Sequence, residues 1–360
     1  MILAIAQLLL PLLMATTVLC NLFLLRRPKQ TQLPITASVD VLIPLRNEAH
    51  NIPALISTLS GQARIEQLNF HLLDDNSSDN TYALAHSLLQ SDSRFHLHTG
   101  KSLEQGWLGK PFAMQQLIQK STADLLIFID ADVRLEPNAL ADSLDLLDRL
   151  KLDFISIYPR QVAYTWSERL IQPLLQWSWM STLFLRKAER SSNPALAVAN
   201  GQFFITRSAA ITSIDGFAGL AQAVLDDIYL ARALLRKGFH GCVADGSRLA
   251  SCRMYESWPQ LRDGYSKSLR VAFGNRVGSA MVMGILLVSS VFPLALAVTG
   301  NWWGWIGYIL IVKSRALSAF ATRARIRDSL LHPLSVLLLI YLIARSWNKR
   351  GKVLWKGRPV

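Results

Sequence analysis

The chain has only three cysteines in 360 residues, Cys20, Cys242 and Cys252. So few and so widely spaced, they supply neither a disulfide framework nor a cysteine zinc site. Cys242 and Cys252 flank a predicted strand and read as ordinary buried thiols. The seven histidines carry little either. His96 and His98 alternate on a predicted strand, where a metal-binding pair is the minor reading. No internal repeat or low-complexity linker is present. Acids are also scarce, with 25 Asp and Glu against 38 Lys and Arg and a formal charge of +13.

Charge is missing altogether from two long stretches, residues 1–25 and 277–312. About 20 apolar residues suffice to cross a bilayer as a helix, so residues 1–25 read as a transmembrane anchor. A cleaved leader would need a basic start and a small-residue cleavage site, whereas Arg26-Arg27-Pro28-Lys29 follows the apolar run. These basic residues place the following domain, 36–270, on the cytoplasmic side of the cell (inner) membrane. Residues 277–320 read as a transmembrane hairpin turning at Thr299-Gly300-Asn301, with Trp302, Trp303 and Trp305 as an aromatic belt. A third membrane segment, 329–346, either spans or is re-entrant. Spanning would put the basic tail, 347–360, on the far side, against the positive-inside rule. Between Ala321 and Val360 nine Lys or Arg face a single acid, Asp328. They interleave with the lipid-like run Leu334 to Ile343, which favours a bilayer surface over nucleic acid as partner. Segment 169–187, with Trp177 and Trp179 and a basic end, reads as an interfacial helix, or alternatively as a buried core helix.

Between the apolar stretches lies the chemistry. Asp124 to Asp132 reads Asp-Leu-Leu-Ile-Phe-Ile-Asp-Ala-Asp, an apolar run of strand length that ends in two carboxylates. A pleat would point Asp130 and Asp132 to one side across Ala131, and paired hard oxygen ligands suit Mg²⁺ or Mn²⁺. Upstream, Val39 to Leu45 reads as a strand and then Arg46-Asn47-Glu48 opens a helical pattern. Leu68 to Leu73 is a second strand, running into Asp74-Asp75-Asn76-Ser77-Ser78-Asp79 before a helix carrying Leu84, Leu88 and Leu89. Gly109-Lys110-Pro111 precedes a third helix. This alternation predicts an α/β fold with a mostly parallel, Rossmann-like sheet whose strand ends share one rim.

Pro44, Asn47 and Glu48, the Asp74 to Asp79 turn, Gly109-Lys110, the Asp-Ala-Asp triplet and the pair Asp226-Asp227 resemble, in order and spacing, the family 2 glycosyltransferases of the GT-A fold. The resemblance covers roughly 36 to 270. It departs where many processive members carry Gln-x-x-Arg-Trp: here Gln260 is followed by Gly264 and Tyr265 in place of the arginine and tryptophan, which argues against a polymer synthase. The tail Trp355-Lys356-Gly357-Arg358 resembles membrane members associated with carotenoid and hopanoid pathways.

The resemblance implies a nucleotide-sugar donor, a divalent cation at Asp132 and Asp130, and Asp227 as general base with Asp226 beside it. It places the donor against Pro44, Asn47, Glu48, Asp74 and Asp75, with Asp130 near the ribose or metal and Gly201 and Gln202 near the donor sugar and acceptor. Lys110 and Lys267 are candidate cations for the diphosphate. From the residues alone, Asp226 and Asp227 also fit a simple helix cap, and Asn200-Gly201 a plain turn. The expected reaction is inverting transfer of a hexose, of UDP-glucose type, to a hydroxyl of a membrane isoprenoid lipid. Transfer to a polyprenyl phosphate or glycerolipid is the alternative, and an inactive scaffold is disfavoured by the retained acids.

Overall fold

The computed structural model describes residues 7–31, 33–89, 92–348, 354–356 and 358–359. The start of the first apolar segment and most of the basic tail, Gly357 included, lie outside them. Two compact units emerge, one of residues 26–160 and 186–252, the other of residues 1–25, 161–185 and 253–360.

The first unit is built on a sheet. Its strands are β1 (Ile35–Leu45), β2 (Ile65–Asp74), β3 (Phe95–Thr99), β4 (Leu125–Ile129), β5 (Val133–Leu135), β6 (Phe154–Tyr158), β7 (Arg160–Gln161), β8 (Phe203–Arg207), β9 (Gly241–Asp245) and β10 (Ala250–Cys252). Seven form the main sheet in the order β3-β2-β1-β4-β8-β6-β9. All neighbouring pairs are parallel except those of β8, which runs antiparallel to β4 and β6. The central strands are buried along their length, β4 and β6 at every residue. That double-faced burial explains why they read as unbroken apolar runs rather than alternations. Reversal of β8 has a consequence for chemistry: its N-terminal turn, Asn200 to Gln202, comes to the rim where the parallel strands end. Asp130 N–H donates to Gln202 O there at 3.2 Å.

One sequence expectation needs correction in this unit. β4 stops at Ile129, and Asp130 to Asp132 form a turn closed by Val133 N–H donating to Asp130 O at 3.1 Å. The two carboxylates are therefore placed by a turn into the short strand β5, not by a pleat. The helix after β2, Thr81–Leu89, buries Thr81, Ala85 and Leu89 and exposes Leu88. Its inner face is the 81/85/89 stripe, which includes one of the three leucines that mark the helix in the sequence.

The second unit is helical. Helix Trp166–Thr182 opens with Thr165 as N-cap, whose hydroxyl accepts from Glu168 N–H and donates to the Glu168 carboxylate, while that carboxylate also accepts from Tyr164 N–H. Its far end is closed by Asn21, whose side-chain amide donates to Met180 O at 2.8 Å and Leu183 O at 2.6 Å. Pro173 sits inside this helix and has no N–H for the carbonyl of Arg169 four residues back. Arg315 fills that gap: it is 1% exposed and donates from Nη2 to Arg169 O at 3.3 Å and Leu170 O at 3.2 Å. Trp177 and Trp179, expected at a membrane interface, are buried inside the unit, and Trp177 Nε1–H donates to Ser314 Oγ at 2.9 Å. Their helix packs against Trp302–Ala321, His332–Asn348 and Leu9–Leu24, partners absent from any local pattern.

Among the described residues two helical runs, Arg276–Val298 and Ile326–Asn348, are long and apolar enough to cross a membrane, and Leu9–Leu24 is a shorter apolar helix. The last run exceeds the 329–346 segment because a 3₁₀ turn, Ile326–Leu331, leads without a break into His332–Asn348.

Candidate active site

The rim of the sheet unit gathers charge around one cavity. About 290 Å³ of space is lined by Pro44, Lys110, Asp130, Gly201, Asp226 and Asp227 among apolar neighbours. Each polar group arrives from a different strand end or helix start: Pro44 from β1, Lys110 from the first turn of helix Gly109–Ile118, Asp130 from the turn after β4, Gly201 from the turn before β8, and the acidic pair from the start of helix Asp226–Arg236.

Lys110 is the hub. Its Nζ lies 2.7 Å from Asp130 Oδ1 and 3.7 Å from Asp226 Oδ2. Burial works against the ammonium, but Asp130, Asp226 and Asp227 outweigh it and hold the pKa above the ordinary lysine value. Asp227 is fixed on both oxygens, Oδ2 accepting from Gly201 N–H at 2.9 Å and Oδ1 from Ile228 N–H at 2.7 Å. A Cβ at residue 201 would stand 3.3 Å from Asp227 Cβ and 3.4 Å from Lys110 Nζ, so glycine permits this close approach. Burial and the neighbouring Asp226 push the Asp227 carboxyl up to about 6. A carboxylate in that range, aimed by two N–H donors, can take a proton near neutrality.

Asp132 occupies the other flank of the turn. Burial and the charge of Asp130 push its carboxyl up to about 7, and its Oδ1 is buried without a hydrogen-bond partner. An orphaned carboxylate oxygen beside a second carboxylate fits a divalent cation in its donor chemistry. No cluster of three or more His, Cys, Asp or Glu side chains suited to a metal occurs among the described residues, so such an ion would draw further ligands from substrate or water.

A sequence model of glycosyl transferase family 2 matches residues 40–214, from within β1 to just beyond the helix after β8. The chain carries a family 2 glycosyltransferase domain. A similar curated protein is the 4,4'-diaponeurosporenoate glycosyltransferase of Staphylococcus haemolyticus, 27% identical over 273 residues that cover 73% of this chain and 69% of that protein. Among solved structures, the mannosyltransferase PcManGT from Pyrobaculum calidifontis, in complex with GDP-Man and Mn²⁺, aligns over 96% of this chain and 95% of its own at a TM-score of 0.57 and 14% identity, a likeness of fold. The expected GT-A architecture is present, and the protein is a glycosyltransferase.

Not every residue singled out in the sequence reaches the cavity of this family 2 domain. Asn47 adopts the left-handed backbone conformation (φ 52°) and ties the first two turns together, its N–H donating to Ser77 Oγ and its Oδ1 accepting from Ser78 N–H. Glu48 N–H donates to Thr81 Oγ1 at 2.8 Å. Asp74 and Asp75 are buried at the end of β2, where Asp74 Oδ2 accepts from Ser77 N–H and Asp75 N–H donates to Leu45 O. Lys267 belongs to the helical unit, on Trp258–Ala272.

Three residues went unread in the sequence. Cys252, taken there for an ordinary thiol, accepts from Gln202 Nε2–H at 2.9 Å and hydrogen-bonds to Asp132, so it links two site residues. β10 pairs with β5 and sets Cys252 opposite Val133, one residue past Asp132. Arg134 donates from Nη1 to the carbonyls of Ala131 and Val133 and braces the carboxylate turn. Arg46 donates likewise to Asp75 O and Asn76 O at the neighbouring turn. Arg46 and Cys252, whose partners are 29 to 120 positions away, leave no spacing signal; only the order of strands reveals them.

Proposed function

We propose that the protein transfers a hexose from a nucleotide sugar to a hydroxyl of a membrane isoprenoid lipid, with inversion at the anomeric carbon. The observation that carries this reading is the doubly held Asp227 carboxylate, poised near 6 on a cavity that also holds Lys110. In the transfer, the acceptor oxygen bonds to the anomeric carbon as the bond to the diphosphate breaks, and the hydroxyl proton passes to Asp227. Nucleoside diphosphate leaves.

Charge develops on the leaving diphosphate, and Lys110 is the protein cation closest to hand. Asp132 and Asp130 would hold Mg²⁺ or Mn²⁺, which supplies Lewis-acid neutralisation of the diphosphate when bound. Pro44, Glu48, Asp74 and Asp75 line up along the β1 and β2 ends as the nucleoside side of the donor site, with Gly201 and Gln202 at the sugar. Asp226, 3.7 Å from Lys110, shares in holding that cation and in raising Asp227.

A lipid acceptor is supported by the two helices of membrane-crossing length and the apolar Leu9–Leu24, which a transferase acting on a soluble acceptor has no use for. An isoprenoid acceptor is supported by the similar staphylococcal enzyme, named for a carotenoid acid. Gly264 supports single transfer over polymerisation: a Cβ there would fall 2.3 Å from the Tyr255 hydroxyl, so the arginine of the processive motif has no room. The relative's name also favours a second reading, in which the acceptor is a carboxylate and the product an ester. Such an acceptor is already a nucleophile and hands no proton to Asp227.

The test is incubation of membranes containing the protein with a panel of labelled nucleotide sugars, followed by mass analysis of the extracted lipids. A single hexose on an isoprenoid hydroxyl is expected. Labelled polysaccharide, or sugar on a polyprenyl phosphate or glycerolipid, overturns the reading, and an alkali-labile ester selects the carboxylate alternative.

A further inference from the structure

Away from the transfer cavity, the first three strands of the sheet carry a second constellation that the reaction does not use. His71 lies on β2, three residues before Asp74, which is about 10 Å back along the strand from the rim. His96 and His98 lie beside it on β3, with ring centroids 5.0 and 5.4 Å from that of His71. β3 is an edge strand, on which His96 is exposed and His98 half-buried, while His71 is buried.

On the inner side stands Asp40 of β1, 4% exposed, with Oδ2 3.4 Å from His71 Nε2. Asp40 is itself held, accepting from Ser121 Oγ at 2.5 Å and Asn69 Nδ2 at 3.1 Å. A fixed carboxylate on one ring nitrogen sets the tautomer: Nε2 carries the proton and Nδ1 is left with its lone pair. That lone pair faces His98 Nε2 at 3.1 Å. Zinc–imidazole bonds of 2.0–2.1 Å separate neighbouring ligands on one ion by about 2.9–3.4 Å, and the two nitrogens already stand at that spacing; the rings lie nearly in one plane, nitrogen facing nitrogen, so a turn of the half-buried His98 ring would aim both lone pairs at one ion.

We propose that His71 Nδ1 and His98 Nε2 form a binding site for a borderline divalent cation such as Zn²⁺, with Asp40 as the carboxylate that orients His71 and water completing the coordination. Imidazole pairs select such cations over Mg²⁺, so the site does not compete for the ion at Asp130 and Asp132. In the metal-free protein His98 Nε2–H donates to His71 Nδ1. On binding, the His98 proton moves to its own Nδ1, both facing nitrogens offer lone pairs, and no net proton is released. The exposed edge of β3 is the way in, and His96 stands at that entrance.

The purified full chain in detergent, titrated calorimetrically with Zn²⁺ in excess Mg²⁺, tests this. The expected result is a Zn²⁺ binding event that survives in Asp132→Asn and Cys252→Ser and is lost in His98→Gln. Asp40→Asn should weaken it by about 10–100-fold, the usual effect of removing an orienting partner. His98 is half-exposed, so its replacement leaves the fold intact even where Asp40→Asn proves unstable. Unchanged Zn²⁺ affinity in His98→Gln, or disappearance of the event in Asp132→Asn or Cys252→Ser, overturns the proposal, the latter by placing the zinc at the transfer site.

Discussion

The two units put buried polar groups to different uses. In the helical unit several are spent on structure: Arg315 on the carbonyl that Pro173 leaves bare, Asn21 on the end of the Trp166–Thr182 helix, Trp177 on Ser314. At the rim of the sheet unit four carboxylates crowd around a single lysine, Asp132 Oδ1 is buried without a hydrogen bond, and two carboxyls are pushed up to about 6 and 7. Electrostatic strain of this kind costs stability, and the fold concentrates it where a donor diphosphate, a cation and a proton can relieve it. What marks the chemistry is like charge crowded around one cation, with two carboxyls raised, a pattern set apart from the side-chain-to-carbonyl bonds that hold the helices.

The sharpest way to break that contrast is at Asp132. Asp132→Asn should abolish divalent-cation dependence together with nearly all transfer, and Mn²⁺ titration followed by electron paramagnetic resonance should show the bound signal lost. Full turnover of the unaltered protein in excess chelator would remove the cation from the scheme. Next in size is Asp227→Asn, expected to lower turnover by about 10²–10⁴, the contribution of a positioned base, with donor affinity nearly unchanged by equilibrium binding. Asp226→Asn should cost less, since its carboxylate acts through Lys110 and Asp227. A reversed order would exchange their roles.

The pH profile sharpens the same point. Asp227 must be deprotonated to accept the hydroxyl proton, and its carboxyl is raised to about 6. The rate at low substrate should therefore hold above that value and fall tenfold per pH unit below it. A limb displaced to the ordinary carboxylate range near 4 would mean that the base is not buried beside Asp226 in the working enzyme. A carboxylate acceptor predicts no such limb from Asp227, so the profile also separates the two acceptor readings.

How much of this was legible beforehand follows the same division. The early strands, the convergent rim and every residue lining the cavity's charged side could be read, because local runs of apolar residues ending in acids report parallel strands directly, whereas the order of strands in the sheet and the reversal of β8 could not. The placement of Asp130 and Asp132 was misread as a pleat because apolar content does not reveal where a strand yields to a turn. Cys252 stays hidden because its role depends on β10 pairing with β5, a contact between segments more than 100 residues apart, and Arg134 because a side chain turning back onto its own turn leaves no mark in an apolar pattern. The packing partners of the Trp177 helix are not legible, since its sequence reports an apolar face but not which helices cover it.

The smallest expected effect tests the architectural half of the contrast. If Arg315 exists to satisfy the carbonyl freed by Pro173, then Arg315→Met should leave the Arg169 carbonyl without a donor and destabilise the chain by about 1–3 kcal/mol, read as a lowered Tm in detergent. Transfer per folded molecule should not change, because Arg315 belongs to the helical unit and touches none of the cavity. Pro173→Ala restores an N–H at the position that the helix ladder requires, so in that background the Arg315→Met loss should shrink by roughly half, the Leu170 carbonyl still losing its bond. Additive losses in the double variant would show that Arg315 serves something other than the proline gap. A fall in transfer per folded molecule would mean that buried charge in the helical unit takes part in the chemistry after all.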